Sequence, residues 1–290
     1  MFERFAAVIL VVGLLLLFTP VHAEQQAQPK LMLNGNAIEF EVQPVTVEGI
    51  TLVPLRHLLE ELGATVEWNQ EMKAFKATRG DRVLQYKIGD AAAYRDEEMI
   101  VLPVPGQVVG GHTLMPVRFV AEALGAEVGW ESYTRTILIS SRSKRPGVVS
   151  KVADGAAVEV LPIGEQHPAA ETVRLIGVNI PAPGGEGSEQ SLQLGKAAAG
   201  SILEQLEGKT VGIEIDATKR DSEDRIPAYL YLDDGTMVNA MLIAEGYAIT
   251  EAVPPDLRWR ELFQSLQSDA RMNGRGIWKQ EATALPVSPI

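Results

Sequence analysis

The segment GITLVPLR at 49–56 recurs as GHTLMPVR at 111–118. The match continues downstream. Glu60, Leu62, Gly63, Ala64, Val66 and Trp68 are repeated by Glu122, Leu124, Gly125, Ala126, Val128 and Trp130, all at an offset of 62 residues. Two such copies must fold alike and bury their apolar faces together, because a unit this short cannot do so alone. Pro54 and Pro116 suit the first position of a helix, where no backbone donor is needed. Leu55, Leu58, Leu59 and Leu62 fall on one helical face, as do Val117, Val120, Ala121 and Leu124. Gly63 and Gly125 suit a left-handed C-cap. A tryptophan-bearing strand follows in each copy, then a second strand, FKAT at 75–78 and TILI at 136–139. Each copy therefore predicts strand, short helix, strand, strand, with one shared core over residues 30–141. Trp68 and Trp130 are expected to pack in that core; stacking on a carbohydrate is the other reading. Arg56 and Arg118, at equivalent helix positions, suit structural contacts between the copies.

A chain of 290 residues has room for a second domain. It contains no cysteine, which excludes disulfides, thiolate metal sites and cysteine nucleophiles. Its formal net charge of −12 repels phosphate backbones. Residues 1–23 read as an export signal: Arg4, a 13-residue apolar run over 6–18, then Val21 and Ala23 where a signal peptidase reads small residues. That run is short against the roughly 20 residues a spanning helix needs. Cleavage after Ala23 and a secreted or surface-associated product are expected, the alternative being an uncleaved anchor. Residues 24–29 form a polar lead-in, 142–147 a short basic linker and 281–290 a frayed tail.

Residues 148–280 alternate strands and helices in the order of a barrel. Strands are predicted over 148–152 and 158–161 around an Asp154-Gly155 turn, then over 172–178, 210–216 and 227–232. Helices are predicted over 192–206, 237–245 and 256–272, the first with Leu194, Ala198, Ile202 and Leu206 on its apolar side. Asp233-Asp234-Gly235 closes a tight turn. Five strands with interposed helices predict a five-stranded oligonucleotide-binding-type barrel, so the chain as a whole is α+β.

Two resemblances follow. The paired VPLR/MPVR…EALGA…W motif resembles the copper amine oxidase N-terminal-like domain over most of 30–141. It implies no copper chemistry: beyond the signal only His57, His112 and His167 remain, without paired ligand spacing. In the second half VSKVADG (149–155), TVRLIGV (172–178), Asp224-Arg225, Tyr229, Tyr231, Asn239, Gly246-Tyr247-Ala248 and GRGIW (274–278) resemble the thermonuclease family. The family's working site holds one calcium ion with two aspartates, uses a glutamate base and clamps phosphate with two arginines. The resemblance carries those arginines to Arg174 and Arg225. It places Ala156 and Asn179 at the aspartate positions and Ala182 at the glutamate position. The tyrosines that pack on the nucleotide are replaced in TEAVPP (250–255).

Calcium takes six to eight oxygen ligands, several of them anionic, and this set offers one neutral carbonyl. Losing the base alone removes about 10² to 10⁴ in rate. A relocated metal site could draw on Asp221, Glu223, Asp224, Asp233, Asp234, Glu186 or Glu189, although such runs more often are solvated loops. Residues 147–280 carry 12 Lys or Arg against 20 Asp or Glu, a balance of −8. Arg258, Arg260, Arg271, Arg275 and Lys279 gather at the last helix, where they read as helix charges and not as a nucleic-acid stripe. The expectation is an exported, non-catalytic binding or scaffold protein without cofactor. Its partner would be an unknown protein or cell-envelope component, with nucleic-acid binding weak or absent. The alternative is a divergent secreted metal-dependent nuclease or phosphodiesterase, with calcium as its cofactor.

Overall fold

The two copies of the repeat pair with each other. In the computed structural model, which describes residues 28–153, 156–181 and 189–279, strand Ile50–Pro54 lies antiparallel to His112–Pro116. Leu52 faces Pro116, Val53 faces Met115 and Pro54 faces Leu114, so the register is itself twofold. Helices α1 (Leu55–Glu61) and α2 (Val117–Ala123) follow these strands. Their leucines and valines enter one core with both copies' later strands. Gly63 and Gly125 end the helices at φ +72° and +77°, a conformation costly for any side chain. The copies then diverge. The first continues as a five-stranded meander from Thr65–Asn69 to Glu98–Val101. In the second, Thr136–Ser140 pairs in parallel with the first strand of the domain, Lys30–Leu33.

The second half closes a five-stranded barrel in the order Arg145–Val152, Ala157–Pro162, Glu171–Leu175, Ile226–Tyr231, Thr210–Ile215. Helices α3 (Glu189–Glu204), α4 (Val238–Ala244) and α5 (Arg260–Met272) pack around it. The buried side of α3 is Leu192, Ala199 and Leu203, continued by Leu206 beyond the helix, so the packed face is rotated from the predicted stripe. The last helix begins at Arg260 and not at 256, because Asp256 is held at a turn, accepting from the N–H groups of Ala217 and Thr218. Asn239 enters the barrel wall, where its amide takes over hydrogen bonds that no strand supplies.

The segment read as a linker is not free. The first barrel strand starts at Arg145, since Arg145–Val148 must pair with Thr210–Ile213 to close the barrel. Lys144 sits 3.4 Å over the Tyr231 ring. The two domains meet across the all-buried strand Thr136–Ser140. Ile137 and Ile139 face the repeat core, while Leu138 and Met32 join the barrel core. Ser140 donates to Glu214 Oε2 at 2.6 Å, and the Tyr133 hydroxyl donates to Glu245 Oε1 at 2.6 Å. That bond, with burial behind it, pushes the Tyr133 phenol up to about 12. Gly129 lies against Gly235; a Cβ there would stand 2.5 Å from the Gly235 carbonyl oxygen. Among the described residues no helix is long and apolar enough to cross a membrane. The export signal at 1–23, the Asp154-Gly155 turn, Ala182, Glu186 and the tail at 281–290 lie outside the described residues.

Trp68 and Trp130 depart from expectation. Neither is core: they are 40% and 46% exposed. Each ends the core-facing row of an edge strand, Trp68 beside Phe75 and Trp130 beside Ile137. Their inner neighbours are buried, but no further strand covers the rings.

Candidate functional site

Arg174 lies on Glu171–Leu175, opposite Ala157 on one side and Pro227 on the other. Its Nη1 donates to the Leu175 carbonyl at 2.7 Å and to the Ala156 carbonyl at 3.4 Å. Its Nη2 donates to Glu251 Oε2 at 3.2 Å. The side chain is 21% exposed. Burial lowers the guanidinium below the ordinary arginine range, Glu251 opposes that, and Arg225 adds to it. It stays charged, because an arginine in a protein does not lose its proton. Glu251 is delivered by a local device: Ile249–Thr250 pairs with Val178–Asn179, and the Glu251 N–H donates to the Gly177 carbonyl at 3.0 Å.

Arg225 is held by the loop that precedes it. Its Nε donates to Asp221 Oδ2 at 2.8 Å, and its Nη1 is 3.1 Å from Glu223 Oε2. The other oxygen of Asp221 accepts from the N–H groups of Glu223 and Arg225, both at 2.9 Å. Burial alone would raise the Asp221 carboxyl, but the side-chain and backbone bonds from Arg225 outweigh it and the net shift is downward. Arg220 ties the loop to the barrel, donating to the Asp224 carbonyl at 2.7 Å and to Glu171 Oε1 at 2.9 Å. Both clamp arginines therefore face carboxylates of their own chain.

Ala156, Asn179 and Ala182 stand where the resemblance puts carboxylates. Ala156 is buried, with its carbonyl accepting from Leu175 N–H at 2.8 Å. Asn179 is half-buried in the short strand opposite Ile249. Among the described residues no group of three or more His, Asp or Glu is placed to hold a metal ion. The residues present do not fit a calcium ion, since a buried methyl and a neutral amide offer none of the anionic oxygens it requires.

The other charged groups have local roles. Asp234 Oδ1 accepts from Thr236 N–H at 2.9 Å within the 233–235 turn, which holds its carboxyl below the usual range. Arg275 donates to Ala244 O and pairs with Asp269, with its guanidinium 3.9 Å over the Tyr133 ring. Arg271 lies over Trp278. Arg258 is not a helix surface charge: it is buried between Glu214 and Asp216. Arg118 donates to Glu122 and to the Val128 carbonyl within its own copy. His112 and His167 are exposed, and His57 packs edge-on to Phe40. The sequence offers no role for Glu251 and reads Arg258 as a helix charge, because each acts on a partner brought close only by the barrel.

Arg174→Ala is expected to lower unfolding stability by about 1.5 to 3 kcal/mol, the usual range for hydrogen bonds to charged groups. Urea denaturation checks it. Added inorganic phosphate should leave the wild-type midpoint unchanged, since Glu251 already occupies the guanidinium. A phosphate-dependent rise in wild type that is missing from the variant would contradict this.

Comparison with known proteins finds a family match in each half of the chain. The family described as Copper amine oxidase N-terminal domain matches residues 32–139, and Staphylococcal nuclease homologue matches 172–280. A thermonuclease of Staphylococcus intermedius is 31% identical over 133 residues, 46% of this chain and 76% of that protein. A protease inhibitor of Brevibacillus choshinensis is 33% identical over 110 residues, 37% of this chain and 34% of the inhibitor. Endonuclease YhcR of Bacillus subtilis is 25% identical over 150 residues, 49% of this chain but only 12% of that enzyme.

Proposed function

From the fact that this chain belongs to the Staphylococcal nuclease homologue family, we propose that its barrel is a binding scaffold that no longer cleaves phosphodiesters. One observation carries this reading: Arg174 and Arg225 are engaged by Glu251, Asp221 and Glu223. A scissile phosphate would have to displace those carboxylates, and no carboxylates stand at 156 and 179 to hold an ion that would receive it. The loss of the ion removes the main electrostatic partner of the developing phosphorane, and the loss of the base removes the activation of water. The two losses overlap and are not multiplied. The negative balance of the barrel half supports weak nucleic-acid binding at most. The partner class is an unknown protein or a cell-envelope component, met after export on the 1–23 signal.

Purified protein incubated with single-stranded DNA and RNA, in calcium and then in manganese or magnesium, is expected to give no cleavage above background. Cleavage that follows the protein through purification and disappears in Arg225→Ala would establish the alternative, a divergent secreted metal-dependent nuclease.

A further inference from the structure

Trp68 does not stand alone on the surface. It forms one wall of a groove of about 600 Å³ between α1, its own strand and the hairpin of the second repeat at 107–116. That volume lies within the range of small-ligand sites, about 300–1,000 Å³. The indole Nε1 donates to Gln70 Oε1 at 2.7 Å. This bond satisfies the polar edge of the ring and restrains its rotation, while the ring lines the groove. Around it stand Arg56, His57, Glu60, Gln70 and His112. His57 is itself braced, packing on Phe40 at 5.2 Å and lying 3.8 Å from Glu61.

We propose that this groove binds a neutral, β-linked oligosaccharide, with one sugar ring stacked on Trp68 and its hydroxyls met by the surrounding polar side chains. The chemistry selects that class. The electron-rich face of an indole attracts the polarised C–H groups of a pyranose whose substituents are equatorial. Donors and acceptors are mixed around it, as a ring of hydroxyls requires. The arginine is matched by Glu60 and Glu41 in the same lining, so the groove has no cationic surplus for a phosphate-bearing ligand. The repeat supplies an internal comparison. Trp130 is as exposed as Trp68, at the equivalent position of the other copy. But His112, which closes the Trp68 groove, corresponds to Ile50, so the second copy lacks one of its polar walls. The site is independent of the barrel and of its catalytic state.

The test is calorimetric titration of the full chain with chitotetraose and, in parallel, cellotetraose. At least one tetrasaccharide is expected to bind. Trp68→Ala should weaken it roughly tenfold or more, and Gln70→Ala should weaken it by a smaller factor by freeing the ring. Trp130→Ala should leave the affinity within about twofold. Gln70 is exposed, so its variant tests the site even if Trp68→Ala perturbs folding, which a melting curve reports. No heat with either sugar overturns the proposal, as does binding insensitive to both Trp68 and Gln70. Equal losses from Trp130 and Trp68 also overturn it, as does an oligothymidine that binds in a Trp68-dependent manner where the sugars do not.

Discussion

Arg258→Ala is expected to destabilise the protein by about 3 to 5 kcal/mol, the cost of leaving buried charges without their partner. The Arg258 side chain is 8% exposed and that of Glu214 1%. Its two terminal nitrogens pair with Glu214 and Asp216. The other oxygens of those carboxylates are also spoken for: Ser140 donates to Glu214 at 2.6 Å, and the Tyr229 hydroxyl donates to Asp216 at 3.1 Å. Burial, then Asp216, raises the Tyr229 phenol well above its ordinary value, so it remains a donor. Removing the guanidinium leaves two largely buried carboxylates without their shared counter-charge. The carboxylates are then the problem, so adding Glu214→Gln to Arg258→Ala should recover part of the loss. Urea denaturation of the two single variants and the double variant measures the coupling. Additive losses, or a loss below about 1 kcal/mol for Arg258→Ala, would show that the triad is not a buried charge network. Because Ser140 belongs to the repeat domain and Glu214 to the barrel, the same variant should also loosen the two domains from each other.

Asn239→Ala is expected to cost about 3 kcal/mol, from buried backbone groups left unpaired at roughly 1 to 3 kcal/mol each. Strand Glu171–Leu175 pairs with Ile226–Tyr231 only through Ile226, Pro227 and Ala228. Beyond that point the barrel has a seam. Asn239, fully buried at the start of α4, fills it: Oδ1 accepts from Leu230 N–H at 2.9 Å, and Nδ2 donates to the carbonyls of Ile176 and Ala228 at 2.9 and 3.2 Å. Alanine fits the space but supplies neither donor nor acceptor. Asn239→Asp keeps the acceptor and points a second oxygen at two carbonyls, so it should rescue nothing at neutral pH. Chemical denaturation of both variants checks this. A stable Asn239→Asp protein at neutral pH would mean that the seam needs only an acceptor.

The repeat was legible because its signals are local. Helix faces, the glycine caps and the strand-helix-strand-strand order of each copy follow from side-chain period and backbone stereochemistry, which a sequence carries directly. The strands Arg82–Lys87, Ala92–Arg95 and Glu98–Val101 that complete the first copy's meander are not part of that reading. The shared core of the two copies follows from the same duplication. The barrel was legible as five strands in order, with its first strand starting at Arg145 where pairing decided it, and the last helix starting at Arg260 because Asp256 is held at a turn. The tryptophans were misjudged for a different reason. Alternation along a strand says which face a residue points to, and Trp68 does point to the core face. Whether anything covers the end of that row depends on what packs there, and a groove is a property of three segments at once.

The candidate site divides in the same way. The identities at 156, 174, 179, 182 and 225 are written in the chain, so the lost carboxylates and the retained arginines needed no structure. What the arginines do now was written there only in part. Asp221 lies four residues before Arg225, but Glu251 is 77 residues from Arg174 and reaches it only because a two-residue strand pairs Ile249–Thr250 with Val178–Asn179. Likewise Arg258 looks like one cation among several on a helix until barrel closure buries Glu214 and Asp216 beside it. Sequence determined the local geometry, the duplication and the chemistry available at each position, since those depend on neighbours within a few residues. Tertiary structure decided which charges are paired, which aromatic faces remain open and how the domains lock together. Those depend on distances between segments far apart in the chain, and Coulomb and hydrogen-bond energies are set by such distances and by burial.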